Sequence, residues 1–144
     1  MSTRRAVDDW ELLAQVAQSY RTLSDALLEQ ISMHRAQAVL LCQLYTQDGL
    51  TQSELAEQLA VRGATVTNML QRMEEANLVS RRRDADDNRL VRVYLTAAGR
   101  EKEQSIVAQF LKLEATVFAG FSADEREMLR RLLRQLWTNM SKGT

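Results

Sequence analysis

Apolar side chains recur at helical spacing through the first part of the chain. Over residues 7–31, Trp10, Leu13, Ala17, Tyr20, Ser24, Leu27 and Ile31 stand three or four positions apart, one stripe of a long amphipathic helix. A second helix begins at Ser32 or His34, where Ala38, Leu41, Cys42 and Tyr45 share a face until Asp48-Gly49 breaks the pattern. Thr51-Gln52-Ser53-Glu54 has the spacing of a capping box, in which the threonine and glutamate side chains satisfy each other's free backbone N–H groups. A third helix therefore starts at Thr51 and carries Leu55 and Leu59 one turn apart. Ala60-Val61-Arg62-Gly63 supplies a short turn before the next pattern. Over residues 64–76, Val66, Met69, Leu70 and Met73 share one face, Ala64, Thr67, Asn68 and Gln71 lie opposite, and Thr65 and Arg72 flank them.

The period then changes. Leu78-Val79-Ser80-Arg81-Arg82 and the alternating Leu90-Val91-Arg92-Val93-Tyr94-Leu95 predict two strands around a polar loop, residues 83–89. After Thr96 a long helical pattern returns, with Ile106, Phe110, Leu113, Val117 and Phe121 on one face. Ser122-Ala123-Asp124-Glu125 is a second capping box, opening a last helix with Leu129, Leu132, Leu136 and Met140. Without a single proline and with only five glycines in 144 residues, nothing interrupts these helices.

The apolar content of 45% is enough for one hydrophobic core at this length. One cysteine and one histidine exclude an internal disulfide and a Cys/His zinc site within one chain. No apolar run resembles a signal peptide or membrane span, so the expected location is cytoplasmic, with no membrane partner. Net charge is zero, which argues against coating nucleic acid by bulk charge and makes the distribution informative. Residues 1–61 carry four basic and eight acidic side chains, residues 62–96 seven and five, and residues 97–144 eight and six, so positive charge lies beyond residue 61.

A solvated helix face ordinarily carries Glu and Lys, whereas Thr, Asn, Gln and Arg, as found over residues 64–76, are side chains that read base edges. Thr51, Ser53 and Thr65 lie near helix N-termini, whose unpaired N–H groups favour an anion such as phosphate; for Thr51 alone the capping role suffices. The hairpin carries Arg81, Arg82, Arg83, Arg89 and Arg92. An arginine at such a tip suits the narrow minor groove, with Arg89 the first candidate and Asp87 placed to orient it, against the alternative of a solvated charged loop.

Residues 51–99 in particular resemble the MarR (multiple antibiotic resistance regulator) family of winged helix-turn-helix regulators. Thr51-Gln52-Ser53-Glu54-Leu55-Ala56 is similar to its first helix-turn-helix element, and Ala64-Thr65-Val66-Thr67-Asn68 with Arg72-Met73-Glu74 to its recognition helix. Asn77-Leu78-Val79 leads into the wing, where Arg81-Arg82, Asp84, Asp87-Asn88-Arg89, then Leu95-Thr96 and Gly99 are similar to the family's D-x-R and "LT..G" signatures. Arg62, Gly63-Ala64 and Arg83 depart from its usual residues, which implies a different operator.

The resemblance implies a mainly α (α+β) fold, a single domain over 1–144 with dimerisation helices at 1–31 and 97–144 and a winged helix DNA-binding lobe at 32–96. It implies a homodimeric, sequence-specific regulator of transcription, a ligand-responsive repressor on an inverted-repeat operator. DNA contacts are expected from Thr51, Ser53, Arg62, Thr65, Thr67, Asn68, Gln71, Arg72, Arg81, Arg82, Arg83 and Arg89. By the same resemblance, Tyr20, His34 and Tyr45 line a site for a small aromatic or anionic effector. Cys42 reads as a buried residue or, by analogy with oxidant-sensing relatives, a redox sensor. Trp10, Tyr20 and Trp137 read as core or dimer contacts. No cofactor, metal cluster or catalytic constellation is recognisable, which sets an enzyme aside. A winged helix serving only as a protein-interaction module is the alternative, and the polar helix face and arginine-rich wing speak against it.

Overall fold

The computed structural model describes residues 3–143, so residues 1, 2 and 144 of the expected domain lie outside it. In chain order come α1 (Thr3–Glu29), α2 (Arg35–Thr46), α3 (Gln52–Leu59), α4 (Gly63–Glu75), β1 (Val79–Arg83), β2 (Val91–Leu95), α5 (Ala97–Glu101), α6 (Glu103–Val117) and α7 (Ala123–Lys142). This is a winged helix-turn-helix with long helices before and after it. Among the described residues no helix is long and apolar enough to cross a membrane.

Local chemistry sets most boundaries. The Thr51 hydroxyl accepts from the Glu54 N–H at 3.1 Å while the Glu54 carboxylate accepts from the Thr51 N–H at 2.8 Å, closing the predicted box at the start of α3. Ser122 and Glu125 repeat it at the start of α7. Left-handed non-glycine residues follow three helices: Ser32 (φ 56°) after α1, where the Met33 N–H returns to the Leu28 carbonyl at 3.1 Å, Ala60 (φ 53°) after α3, and Asn77 (φ 59°) after α4, where the Leu78 N–H returns to the Met73 carbonyl at 2.9 Å.

One core unites the lobe with the helices around it. Leu40, Leu41 and Leu44 of α2, Leu55 of α3, Val66, Leu70 and Met73 of α4, Val93 of β2, Leu28 of α1 and Ile106 of α6 are buried together. Leu40 and Leu44 show that the inner face of α2 is broader than its predicted stripe, and Cys42 and Tyr45 lie only half-buried at its margin. β1 and β2 pair antiparallel from Val79 opposite Leu95 to Arg83 opposite Val91. A further short edge joins them: the Gly49 N–H donates to the Val93 carbonyl at 3.0 Å and the Val93 N–H to the Leu50 carbonyl at 2.8 Å.

Two expectations need correction. The helix after Thr96 is divided at Lys102 into α5 and α6, and only Ile106 and Leu113 of its apolar face are buried, with Phe110 half-buried and Val117 and Phe121 exposed. Trp10, Tyr20 and Trp137 are not core residues of this chain, being 72%, 45% and 64% exposed. They belong to apolar faces that also include Leu12 and Val16 on α1 and Leu132, Leu133 and Leu136 on α7, a helix with no buried residue.

Gly99 is held against backbone: any Cβ there would collide with the Leu78 carbonyl oxygen. Gly99→Ala is therefore expected to destabilise the fold by about 1–3 kcal/mol in chemical denaturation. Gly63→Ala, where nothing lies within 4 Å of an added Cβ, should be neutral or slightly stabilising. Equal effects of the two substitutions would refute this account of Gly99.

Candidate nucleic-acid interface

α3 packs on α4 and leaves the outer face of α4 uncovered. Ala64, Thr65, Thr67, Asn68, Gln71 and Arg72 are all exposed, while Val66, Leu70 and Met73 on the opposite face anchor the helix in the core. Arg62 is the residue before the first turn of α4, exposed and with no side-chain capping bond. Ser53 is exposed in the first turn of α3, whereas Thr51 is buried with its hydroxyl committed to the capping box.

The wing is organised by Asp84. One of its carboxylate oxygens accepts the backbone N–H groups of Asp86 and Asp87 at 2.8 and 3.0 Å, and the other binds the Arg92 guanidinium, which also donates to the Gly49 carbonyl at 2.9 Å. The Arg92 bond, followed by the two backbone donors, holds the Asp84 carboxyl below its ordinary value, and Asp84 in turn raises the Arg92 pKa. Arg92 is thus a structural arginine of the wing. Arg83 donates to the Asn88 carbonyl at 2.7 Å, closing the tip from the other side.

At the tip, Asp87 takes two guanidinium bonds from Arg89, at 3.0 and 3.2 Å, with the Arg89 side chain 90% exposed. The arginine bond is the main cause of the lowered Asp87 pKa. This is the orienting role anticipated for Asp87, a charge-assisted fork that presents Arg89 outward. Arg82, also exposed, lies over the Tyr94 ring at 4.8 Å. Arg81 turns back to α4, meeting Glu74 at 2.6 Å and Gln52 at 3.4 Å.

Two residues that the sequence reading passed over emerge here. Gln52 of α3 donates to the Thr67 hydroxyl at 3.3 Å and accepts from Arg81, bridging the recognition-type helix and the wing. Asp48 accepts from the Leu95 and Gly49 N–H groups at 2.9 and 3.1 Å and from Arg100 at 2.8 Å, tying β2 and α5 to the end of α2. The Asp-Gly pair was legible only as a turn, and no local signal marked Gln52.

Tyr20, His34 and Tyr45 do not meet within one chain. Tyr20 lies along α1 in a cleft shared with Leu12, Val16 and Val117, whereas His34 caps α2, its backbone N–H donating to the Gln37 side chain at 3.4 Å, beside a cleft that Asp25, Glu29 and Arg35 also line. Tyr45 donates its hydroxyl to the Gly99 carbonyl at 2.6 Å, and burial, ahead of Cys42 and Glu103, pushes its pKa up to about 12. The Cys42 thiol is also pushed up, by burial and then by Glu103, which suppresses the thiolate.

The MarR family profile matches residues 33–91. Among curated proteins of Bacillus subtilis, the HTH-type transcriptional regulator YdgJ is 35% identical over 71% of this chain, although the match spans only 62% of YdgJ. The HTH-type transcriptional regulator YwoH is 32% identical over 85% of this chain and 91% of its own length. Among solved structures, Staphylococcus aureus MepR bound to DNA superposes with a TM-score of 0.82 at 30% identity, covering 90% of this chain and 96% of MepR. Bordetella bronchiseptica BpsR, whose DNA binding is regulated by 6-hydroxynicotinic acid, superposes at 0.80 with 26% identity, covering 88% and 90%.

Because the Asp84 carboxyl titrates below the ordinary value of 3.8, its contribution is present above that value and is lost as pH falls through the lower folded one. Acid titration followed by amide exchange should therefore release the 84–87 turn before the core. Asp84→Ala, which removes the accepting oxygen that asparagine would keep, should lose that protection already at neutral pH, and a wing equally protected in the variant would show that Asp84 does not organise it.

Proposed function

Since the chain belongs to the MarR family of transcription regulators, we propose that it binds duplex DNA as a homodimer, with α4 of each copy in the major groove and the wing against the backbone and minor groove. The observation that carries this reading is the exposed polar face of α4 beside a tip that presents Arg89 at 90% exposure. Thr65, Thr67, Asn68 and Gln71 are the base-facing set, Asn and Gln being suited to adenine. Ser53, Arg62, Arg72, Arg82, Arg83 and Arg89 serve phosphates and the minor groove, contacts that position the protein without reading sequence. Thr51 and Arg81 act from behind, as helix cap and wing brace. The exposed faces of α1 and α7, with Trp10 and Trp137, support dimerisation, because a lone chain would leave them in water.

Two such helices about one helical turn apart call for an inverted-repeat operator. Selection from random duplexes tests this directly, and sedimentation of the same protein should give a dimer at micromolar concentration. Asn68→Ala should cost roughly 1–3 kcal/mol at a particular operator position. Arg89→Ala should instead weaken all sequences alike and flatten the salt dependence by about one charge. An Arg89→Ala variant with unchanged affinity and salt slope would make the wing a solvated loop, and a stable folded monomer would remove the dimer.

We further propose that the protein is a repressor released by a small aromatic anion. BpsR supports the ligand class, and the separation of Tyr20, His34 and Tyr45 within one chain favours a site completed by the second copy. Such a ligand must bind the two spacings of the DNA-binding lobes unequally. Phenolic and hydroxynicotinic acids should raise the melting temperature and weaken operator binding, and a panel that does neither would end this proposal.

A further inference from the structure

A threonine on a DNA-facing helix is ordinarily counted as a hydrogen-bonding side chain, but the Thr67 hydroxyl is already committed. Its single proton goes to the Gly63 carbonyl at 3.0 Å, one turn back along α4. It also accepts the Gln52 side-chain N–H at 3.3 Å. A hydroxyl has one proton and two lone pairs, so one lone pair and the methyl group are all that Thr67 retains for another molecule.

The arrangement is braced on both sides. Gln52 is held in turn by Arg81 at 3.4 Å, and Arg81 is fixed to Glu74 by two contacts of 2.6 Å. A closed circuit results, running from α4 through β1 and α3 back to α4. Threonine in a helix divides between rotamers according to whether its hydroxyl bonds the preceding turn, and this circuit selects the back-bonded one. Turning the hydroxyl outward would break two bonds and leave the Gln52 amide without its Thr67 acceptor.

We propose that Thr67 reads operator sequence through its methyl group, as an apolar contact to the C5-methyl of a thymine, with Gln52 as the positioning residue that keeps its hydroxyl turned away. The thymine methyl is the one apolar marker that a base pair displays in the major groove. This rests on α4 being the helix that enters that groove. It goes further by assigning an apolar contact where a polar one is the ordinary expectation, and by giving Gln52 a role in specificity without a contact to DNA.

The test replaces each thymine of the selected operator by deoxyuridine, which removes only the methyl, and measures binding by the wild type and by Thr67→Val, Thr67→Ser and Gln52→Ala. Burial of one methyl is worth about a fourfold change in affinity per half-site. The wild type should lose that factor at one thymine of each half-site. Thr67→Val, which keeps a methyl and lacks the hydroxyl, should retain the dependence, and Thr67→Ser, which keeps only the hydroxyl, should lose it. Gln52→Ala, compared with the wild type well below both melting temperatures so that the fold is intact, should reduce the dependence on the thymine methyl more than it reduces overall affinity, which a merely structural role does not predict. If Thr67→Ser discriminates deoxyuridine as the wild type does, or Thr67→Val does not, the hydroxyl is the reading group and the proposal is overturned. If no thymine methyl matters although the operator is bound specifically, it is overturned while the DNA-binding reading stands. A wild type without sequence preference would remove both.

Discussion

The placement of α4 and the wing relative to the rest of the molecule depends on the approach of Gly99 to the Leu78 carbonyl. The turn after α4 is left-handed at Asn77 and leaves the Leu78 carbonyl against Gly99 of α5. Thr96 locks the same corner, donating its hydroxyl to the Asn77 carbonyl at 2.6 Å and its N–H to the Leu78 carbonyl at 3.1 Å. The Gly99 carbonyl then accepts the Tyr45 hydroxyl. Within a few residues the end of α4, both strands, α2 and the helices leading to α7 are bonded to one point. A side chain at position 99 would push these elements apart and change the angle at which α4 sits in the lobe.

From that corner, the neutral net charge is no obstacle to a DNA-binding role. The wing arginines divide by partner. Arg81 and Arg92 are paired with Glu74 and Asp84 and stiffen the lobe, whereas Arg82, Arg83 and Arg89 remain exposed. Two acidic residues of the loop shape the tip as well as offsetting its charge, because Asp84 binds two backbone N–H groups besides Arg92 and Asp87 holds Arg89 in a fork. Charge count alone would miss this division, since it depends on which guanidinium faces which carboxylate.

Features fixed by neighbours three or four residues apart were legible from sequence. The boxes at Thr51 and Ser122, the turn at Ala60-Val61-Arg62-Gly63, the inward Val66, Leu70 and Met73 and the alternating strand ending at Leu95 all follow from local periodicity or capping chemistry. The exposed set on α4 followed too, because a helix that buries one face must show the other. The break at Lys102 was not legible, since the apolar spacing runs across it and the residue keeps right-handed helical angles.

The sequence by itself thus determined the order of elements apart from the division of α5 from α6, the polar outer face of α4 and the arginine-rich wing, all consequences of short-range repeats and of side-chain type. Tertiary structure alone decided what those residues are free to do. It joined Gln52 to Thr67 and to Arg81 across 15 and 29 positions, Asp48 to Arg100 across 52 and Tyr45 to Gly99 across 54. It also placed Trp10 and Trp137, whose spacing is equally that of a core stripe, in water. Helical periodicity says that a face is apolar, but only the packing of the whole chain says whether that chain covers it.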